Sequence, residues 1–297
     1  MSQSPIAAGD ADLRGDVRRL GDLLGQTLVR QEGPELLALV EEVRKAVREG
    51  TGAEILAQLS VEDSVQLVRA FSTYFHLANV AEQVHRARVL AEARATGGSW
   101  LARAVDRIEA ALQAQTPGHE LTKEEISEWV GAMSVRPVFT AHPTEAARRS
   151  VLNKLGSIAD LLDDPRNPSQ QERLAETVDL LWQTDELRLG RPEPLDEALN
   201  ALYYLDDLFT ETVPEVLNDF AKEMKRIDVE VPITARPLSF GNWIGGDRDG
   251  NPNITAQVTT DAMVLQVGHA IRVTIAAMND LRQMLSVSTK IVGATPE

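Results

Sequence analysis

The chain has 297 residues, 43% of them apolar and 25% charged, enough for one large domain or two ordinary ones. Its formal charge of −15 argues against nucleic acid and anionic membrane as partners, and it requires that any anionic ligand be met by a local cluster of Arg, Lys or His. With no cysteine, disulfides, thiolate nucleophiles and Cys-type zinc sites are excluded; with no secretory leader pattern or long apolar run, a cytoplasmic location is expected.

Helical spacing dominates residues 1–134. Leu13, Val17, Leu20, Leu24 and Leu28 repeat at intervals of three and four, as do Leu36, Leu37, Val40, Val43 and Val47, with Gly33-Pro34 between the two segments. A long helix is predicted from about 62 to 94, with Val65, Val68, Phe71, Phe75, Ala78 and Val80 as its buried stripe. Another is expected over 99–115. Thr122 and Glu125 form a capping-box start for a short helix to Met133.

Strand signals are few. "VRPVFT" (135–140) is one, and "VPITARPLSFGNWI" (231–244) gives two short pieces at most, because prolines interrupt it. Helices are expected over 145–162, 170–187, 195–226 (kinked by Pro214) and 259–285. Each strand empties into a polar, glycine-containing loop, as strand-to-helix loops do in a β/α barrel. The chain offers two or three of the eight strands a barrel needs. The expected fold is therefore mainly α and helix-rich, with a helical region over 1–134. Residues 135–297 would then hold the first strands of a β/α (TIM-type) barrel that the chain does not complete.

Two runs carry chemistry. In "VFTAHPTEAARRS" (138–150), His142 stands at a strand-to-helix junction where Thr144 is a good N-cap. A helix beginning at Glu145 would aim its free N–H groups and positive end beside an imidazole able to exchange protons near neutrality. Arg148 and Arg149 fall in the second turn of such a helix. Either they meet a bound phosphate with two-pronged bonds, or they are surface arginines satisfied by carboxylates such as Glu145. The other four histidines, His76, His85, His119 and His269, read as structural or solvent-facing.

The second run is "FGNWIGGDRDGNPN" (240–253). Its aspartates resemble a calcium loop but fail the EF-hand spacing. Gly245, Gly246 and Gly250 allow close backbone approach to a ligand, Arg248 can be held between Asp247 and Asp249, and Trp243 is costly on an ordinary exposed loop.

Together these runs resemble two signature segments of the phosphoenolpyruvate carboxylase family, its T-A-H-P-T-x-x-x-R-R and G-G-D-R-D-G-N-P stretches. "LGDLLGQTLVRQEG", "RAFSTYFHLANVAEQVHR" and "LWQTDELRLGRPEPLDEA" are similar as well, so the resemblance covers about 12–290. It implies a helical enzyme built round an eight-stranded β/α barrel that joins phosphoenolpyruvate and bicarbonate to give oxaloacetate and phosphate. A Mg2+ or Mn2+ ion would assist. By the same resemblance His142 is the catalytic base and Trp243 belongs to the bicarbonate-side pocket; Arg248 is expected to bind substrate. Arg148, Arg149 and Arg188 match arginines that bind a sugar-phosphate activator in plant members.

The family's enzymes are far longer, and their metal ligands lie outside the stretch represented here, so no metal ligand is expected in this chain. The expectation is an N-terminal portion of the enzyme, inactive alone and homotetrameric at full length. The alternatives are a non-catalytic helical fragment for phosphate binding or subunit interaction, and a phosphohistidine carrier using His142.

Overall fold

The computed structural model describes residues 5–114, 121–140, 148–163, 168–186 and 193–288. It divides into two compact units, each discontinuous in sequence: residues 1–99 with 146–189, and residues 100–145 with 190–297. The division expected at 134/135 is one of element type and differs from the boundaries of these units.

Among the described residues the elements of the first unit are helices: α1 (Pro5–Glu32), α2 (Pro34–Glu49), α3 (Gly52–Leu56), α4 (Val61–Ala95), α5 (Arg149–Asp163) and α6 (Pro168–Trp182). Gly33, at φ 97°, separates α1 from α2, and Pro34 opens the new helix where its missing N–H costs nothing. Leu20, Leu24, Leu28, Leu77, Ala81, Ile158, Leu162, Leu174, Val178 and Trp182 form one continuous core. Polar side chains join the helices around it. Arg88 on α4 pairs with Asp16 at 2.8 Å and donates to the Leu162 carbonyl at 2.8 Å, while Trp182 Nε1 donates to Glu32 at 2.9 Å. Arg69 stacks on the Trp182 ring, 4.2 Å from its centroid, and donates to the Trp182 carbonyl.

The long helix α4 forms where its spacing predicts, but turns a different face inward. Val65, Val68 and Phe75 are exposed, whereas Leu67, Ala70, Thr73, Leu77, Val80, Ala81 and Val84 are buried. Val65 and Leu67 lie about 200° apart around the axis, so the helix is apolar on two sides. The side carrying alanines lets α1 and α5 approach closely, and that side packs.

The second unit holds α7 (Trp100–Ala114), α8 (Lys123–Ala132), β1 (Val138–Phe139), α9 (Pro194–Asp207), a π-helical turn (Leu208–Thr212), α10 (Val213–Arg226), β2 (Gly241–Asn242) and α11 (Ala256–Met284). Thr122 and Glu125 cap α8 reciprocally, as expected. The segment predicted as one helix over 195–226 is two. Pro214 lacks the N–H that would bond the Thr210 carbonyl, and the chain widens into the π turn just before it. One core joins α7, α8 and α10 through Val105, Ile126, Val130 and Met224; a smaller one joins α9, α11 and Ile244.

The strands are parallel, with Val138 opposite Gly241 and Phe139 opposite Asn242. The ladder runs beyond them. Val135 N donates to Pro237 O at 2.8 Å, Ser239 N to Val135 O at 3.0 Å and Gly241 N to Pro137 O at 2.9 Å. A Cβ at Gly241 would stand 3.1 Å from Val138 Cγ2, so glycine permits this close pairing. Mainly α is therefore the observed class. Among the described residues the sheet is this one parallel pair, and no helix is long and apolar enough to cross a membrane.

Candidate functional site

The parallel ladder joins the second signature run to β1, the strand that precedes His142 in sequence. Trp243, one residue past β2, donates its N–H to Phe139 O, the last carbonyl of β1, at 2.8 Å. The backbone of the second run is thus bonded three residues before His142. His142 itself, like Arg188, lies outside the described residues.

Beyond β2 the chain folds into successive tight turns. Trp243 O accepts from Gly246 N and Asp247 N, both at 2.9 Å, and Asn242 Oδ1 accepts from Ile244 N at 2.9 Å. Gly245 adopts φ 79°, and a Cβ there would meet Ala262 Cβ at 2.7 Å. Its carbonyl accepts from Thr259 Oγ1 at 2.8 Å, fastening the turn to α11. Asp249 at φ 27° and Gly250 at φ 75° reverse the chain again, and Asn251 Oδ1 accepts from Asn253 N at 3.0 Å in an Asx turn. The Trp243 side chain projects from this braced loop with 56% of its surface exposed.

Arg248 departs from its expected geometry. It is exposed and makes no ion pair with Asp247 or Asp249. Adjacent residues in a tight turn point their side chains apart, so the flanking aspartates do not clamp it. Asn242 is a residue that sequence reasoning passed over. Its Nδ2 is buried in the same strand end without an acceptor.

Arg148 and Arg149 belong to the first unit. The expected helix start at Glu145 falls on residues 145–147, outside the described residues, and Arg148 is not helical. Helix α5 opens at Arg149, and Arg148 O accepts its first bonds, from Val151 N at 2.8 Å and Leu152 N at 3.2 Å. The arginines are therefore at a helix start, not in a second turn. Arg148 stands 3.5 Å from Asp185, whose side chain is 79% exposed. The carboxylate reading of Arg148 thus has a named partner, and it is a solvent-screened one.

Beside Asp185 is a cluster the sequence did not reveal. Glu186 accepts from Ser72 at 2.8 and 2.9 Å and lies 2.7 Å from His76 Nε2. Burial pushes its carboxyl upward, but hydrogen bonds from His76 and Ser72 and the charges of His76 and Arg69 outweigh it and hold it below the ordinary value. His76 is structural, as read from its helical setting, and its partner is 110 residues away.

Comparison with known proteins supplies the family. The phosphoenolpyruvate carboxylase family model matches residues 13–297. The chain belongs to the phosphoenolpyruvate carboxylase family. Phosphoenolpyruvate carboxylase of Xanthomonas oryzae is 35% identical over 98% of this chain and 34% of its own length. That of Pseudomonas aeruginosa is 38% identical over 86% and 30%, and that of Proteus mirabilis 33% identical over 96% and 33%. The chain thus spans about a third of the length of these relatives and corresponds to the N-terminal part of the family's enzymes.

Proposed function

We propose that this chain supplies the bicarbonate-side chemistry of a phosphoenolpyruvate carboxylase, the full-length enzyme converting phosphoenolpyruvate and bicarbonate to oxaloacetate and phosphate. A bicarbonate oxygen takes the phosphoryl group, leaving carboxyphosphate and the enolate of pyruvate. His142 removes the carboxyphosphate proton, the C–O bond to phosphate breaks, and carbon dioxide is released beside the enolate carbon that attacks it. Trp243 walls the pocket in which carbon dioxide is held, and Arg248 offers a cation to the anionic substrates. The observation that supports this reading is the Trp243 N to Phe139 O bond, which fastens the second run to the last carbonyl of β1, the strand that precedes His142 in sequence. Chemistry at the C-terminal ends of parallel strands is the rule in barrel folds.

The same parallel pair, whose strands are separated in sequence by helical segments, supports reading 135–297 as the start of a β/α barrel and 1–134 as a helical region preceding it. A divalent metal is expected for the family. Among the described residues no group of three or more His, Asp or Glu side chains could hold one, so no residue of this chain is given that role and no step above passes through it. Arg148, Arg149 and Arg188 would form an allosteric phosphate site, in which an anion displaces the screened Asp185. A homotetrameric, cytoplasmic enzyme completes the proposal.

Trp243→Ala in the full-length enzyme tests it. The KM for bicarbonate should rise, with little change for phosphoenolpyruvate, as expected when a contact to that one substrate is removed. An unchanged bicarbonate KM would remove Trp243 from the site.

A further inference from the structure

The backbone of Trp243 is bonded on both sides. Its N–H donates to Phe139 O at 2.8 Å, and its carbonyl accepts from Gly246 N and Asp247 N at 2.9 Å each. Asn242 adds a bond that spans it. The side-chain Oδ1 accepts from Ile244 N at 2.9 Å, closing an Asx turn with Trp243 at its centre. With 56% of the Trp243 side chain exposed, packing alone does not fix its ring; the direction of its Cα–Cβ bond is set by this backbone.

Two features mark what Asn242 does there. Its Nδ2 is buried and has no acceptor, so half of the amide's bonding capacity is idle. A buried idle donor is a net cost, and the bond to Ile244 made by the other half is what offsets it. The second feature is alternation. Asn242 lies opposite Phe139 in the ladder, and Phe240, two residues earlier, packs on Phe139 with ring centroids 6.2 Å apart. Phe240 in turn meets Phe209 of the π turn edge-on, at 5.4 Å and 84°. Successive side chains on a strand point to opposite faces, so Asn242 belongs to this aromatic face and Trp243 to the other. Asn242 therefore acts on Trp243 through the backbone, without sharing what the indole touches.

We infer that Asn242 is a positioning residue for carboxylation: its side-chain oxygen closes the turn that aims Trp243 at the bicarbonate-side pocket. This rests on the reading of Trp243 proposed above. It requires a side-chain acceptor at this position. A serine hydroxyl supplies one more weakly, and leucine, branched at the same carbon, supplies none.

Saturation curves for bicarbonate and phosphoenolpyruvate on the full-length enzyme, with hydrogen exchange over 243–247, test it. Asn242→Leu should raise the KM for bicarbonate about two- to tenfold, the range set by one neutral hydrogen bond. The KM for phosphoenolpyruvate and kcat should stay at parental values, and exchange over 243–247 should accelerate. Asn242→Ser should show the same pattern in smaller degree, and it carries the comparison should the leucine variant not fold. In a Trp243→Ala background Asn242→Leu should add nothing to the bicarbonate KM, because the side chain it aims is gone. If Trp243→Ala raises that KM while folded Asn242 variants keep the parental value, the inference fails and Trp243 stays in the site. A parental KM in Trp243→Ala overturns the reading of Trp243 and the inference with it. Equal losses for both substrates, or additive effects in the double variant, would make Asn242 merely structural and overturn the inference alone.

Discussion

The backbone N–H of Trp243 is bonded to the carbonyl of Phe139 across 2.8 Å, which joins residues far apart in sequence at the end of one parallel strand pair. Everything proposed for catalysis rests on that junction, and the predictions begin with the turn that holds it.

Gly245→Ala should loosen the site loop. The new Cβ would stand 2.7 Å from Ala262 Cβ at a backbone φ of 79°, and such strain costs on the order of 1–3 kcal/mol. Hydrogen exchange should accelerate in 243–247 and at the start of α11, and remain unchanged in α1 and α4. No local change would mean the turn is not braced as described.

Acid should destabilise the first unit through Glu186. Its carboxyl titrates below the ordinary value of 4.5 when folded, so its stabilisation is complete above the unfolded value and is lost as pH falls through the folded one. Asp179 behaves likewise: burial raises its carboxyl, but hydrogen bonds from Thr27 and Arg30 prevail and lower it from 3.8. Glu186→Gln should lower stability at neutral pH and shrink the loss on acidification below about pH 4.5. Urea titrations at several pH values check this; an unchanged acid slope would contradict it.

The four tryptophans should divide by quenching. Trp182 is 1% exposed, whereas Trp100, Trp129 and Trp243 are 79%, 61% and 56% exposed. Iodide should quench most of the emission and leave a shielded, blue-shifted part that Trp182→Phe removes. A single quenchable class in the parent chain would be inconsistent with the core.

Protection should be greater in the first unit than in α11. Leu20, Ala81, Ile158 and Leu174 are fully buried, while α11 exposes Met263, Val267, Ile271, Ile275 and Met278 along one side. Amides of α4 near Leu77 should exchange at the slowest rates and those of 270–284 much faster.

Long helices were legible because their period repeats over many turns. The capping box at Thr122 was legible because it is local. The five-residue helix at Gly52–Leu56 is too short to show a period, and α4 misled because it is apolar on two sides. The candidate site was half legible. Signature runs pointed to His142, Trp243 and Arg248, but no local pattern encodes which carbonyl Trp243 bonds, nor that Asp185 faces Arg148.

The most direct test of the central claim is His142→Asn in the full-length enzyme, with phosphate, pyruvate and oxaloacetate measured together across a bicarbonate titration. If His142 acts after phosphoryl transfer, bicarbonate should still drive release of phosphate, and pyruvate should replace oxaloacetate because the enolate is protonated when no carbon dioxide reaches it. Full oxaloacetate production by the variant, or complete loss of cleavage together with a labelled phosphoryl group on His142 of the parent, would contradict the account.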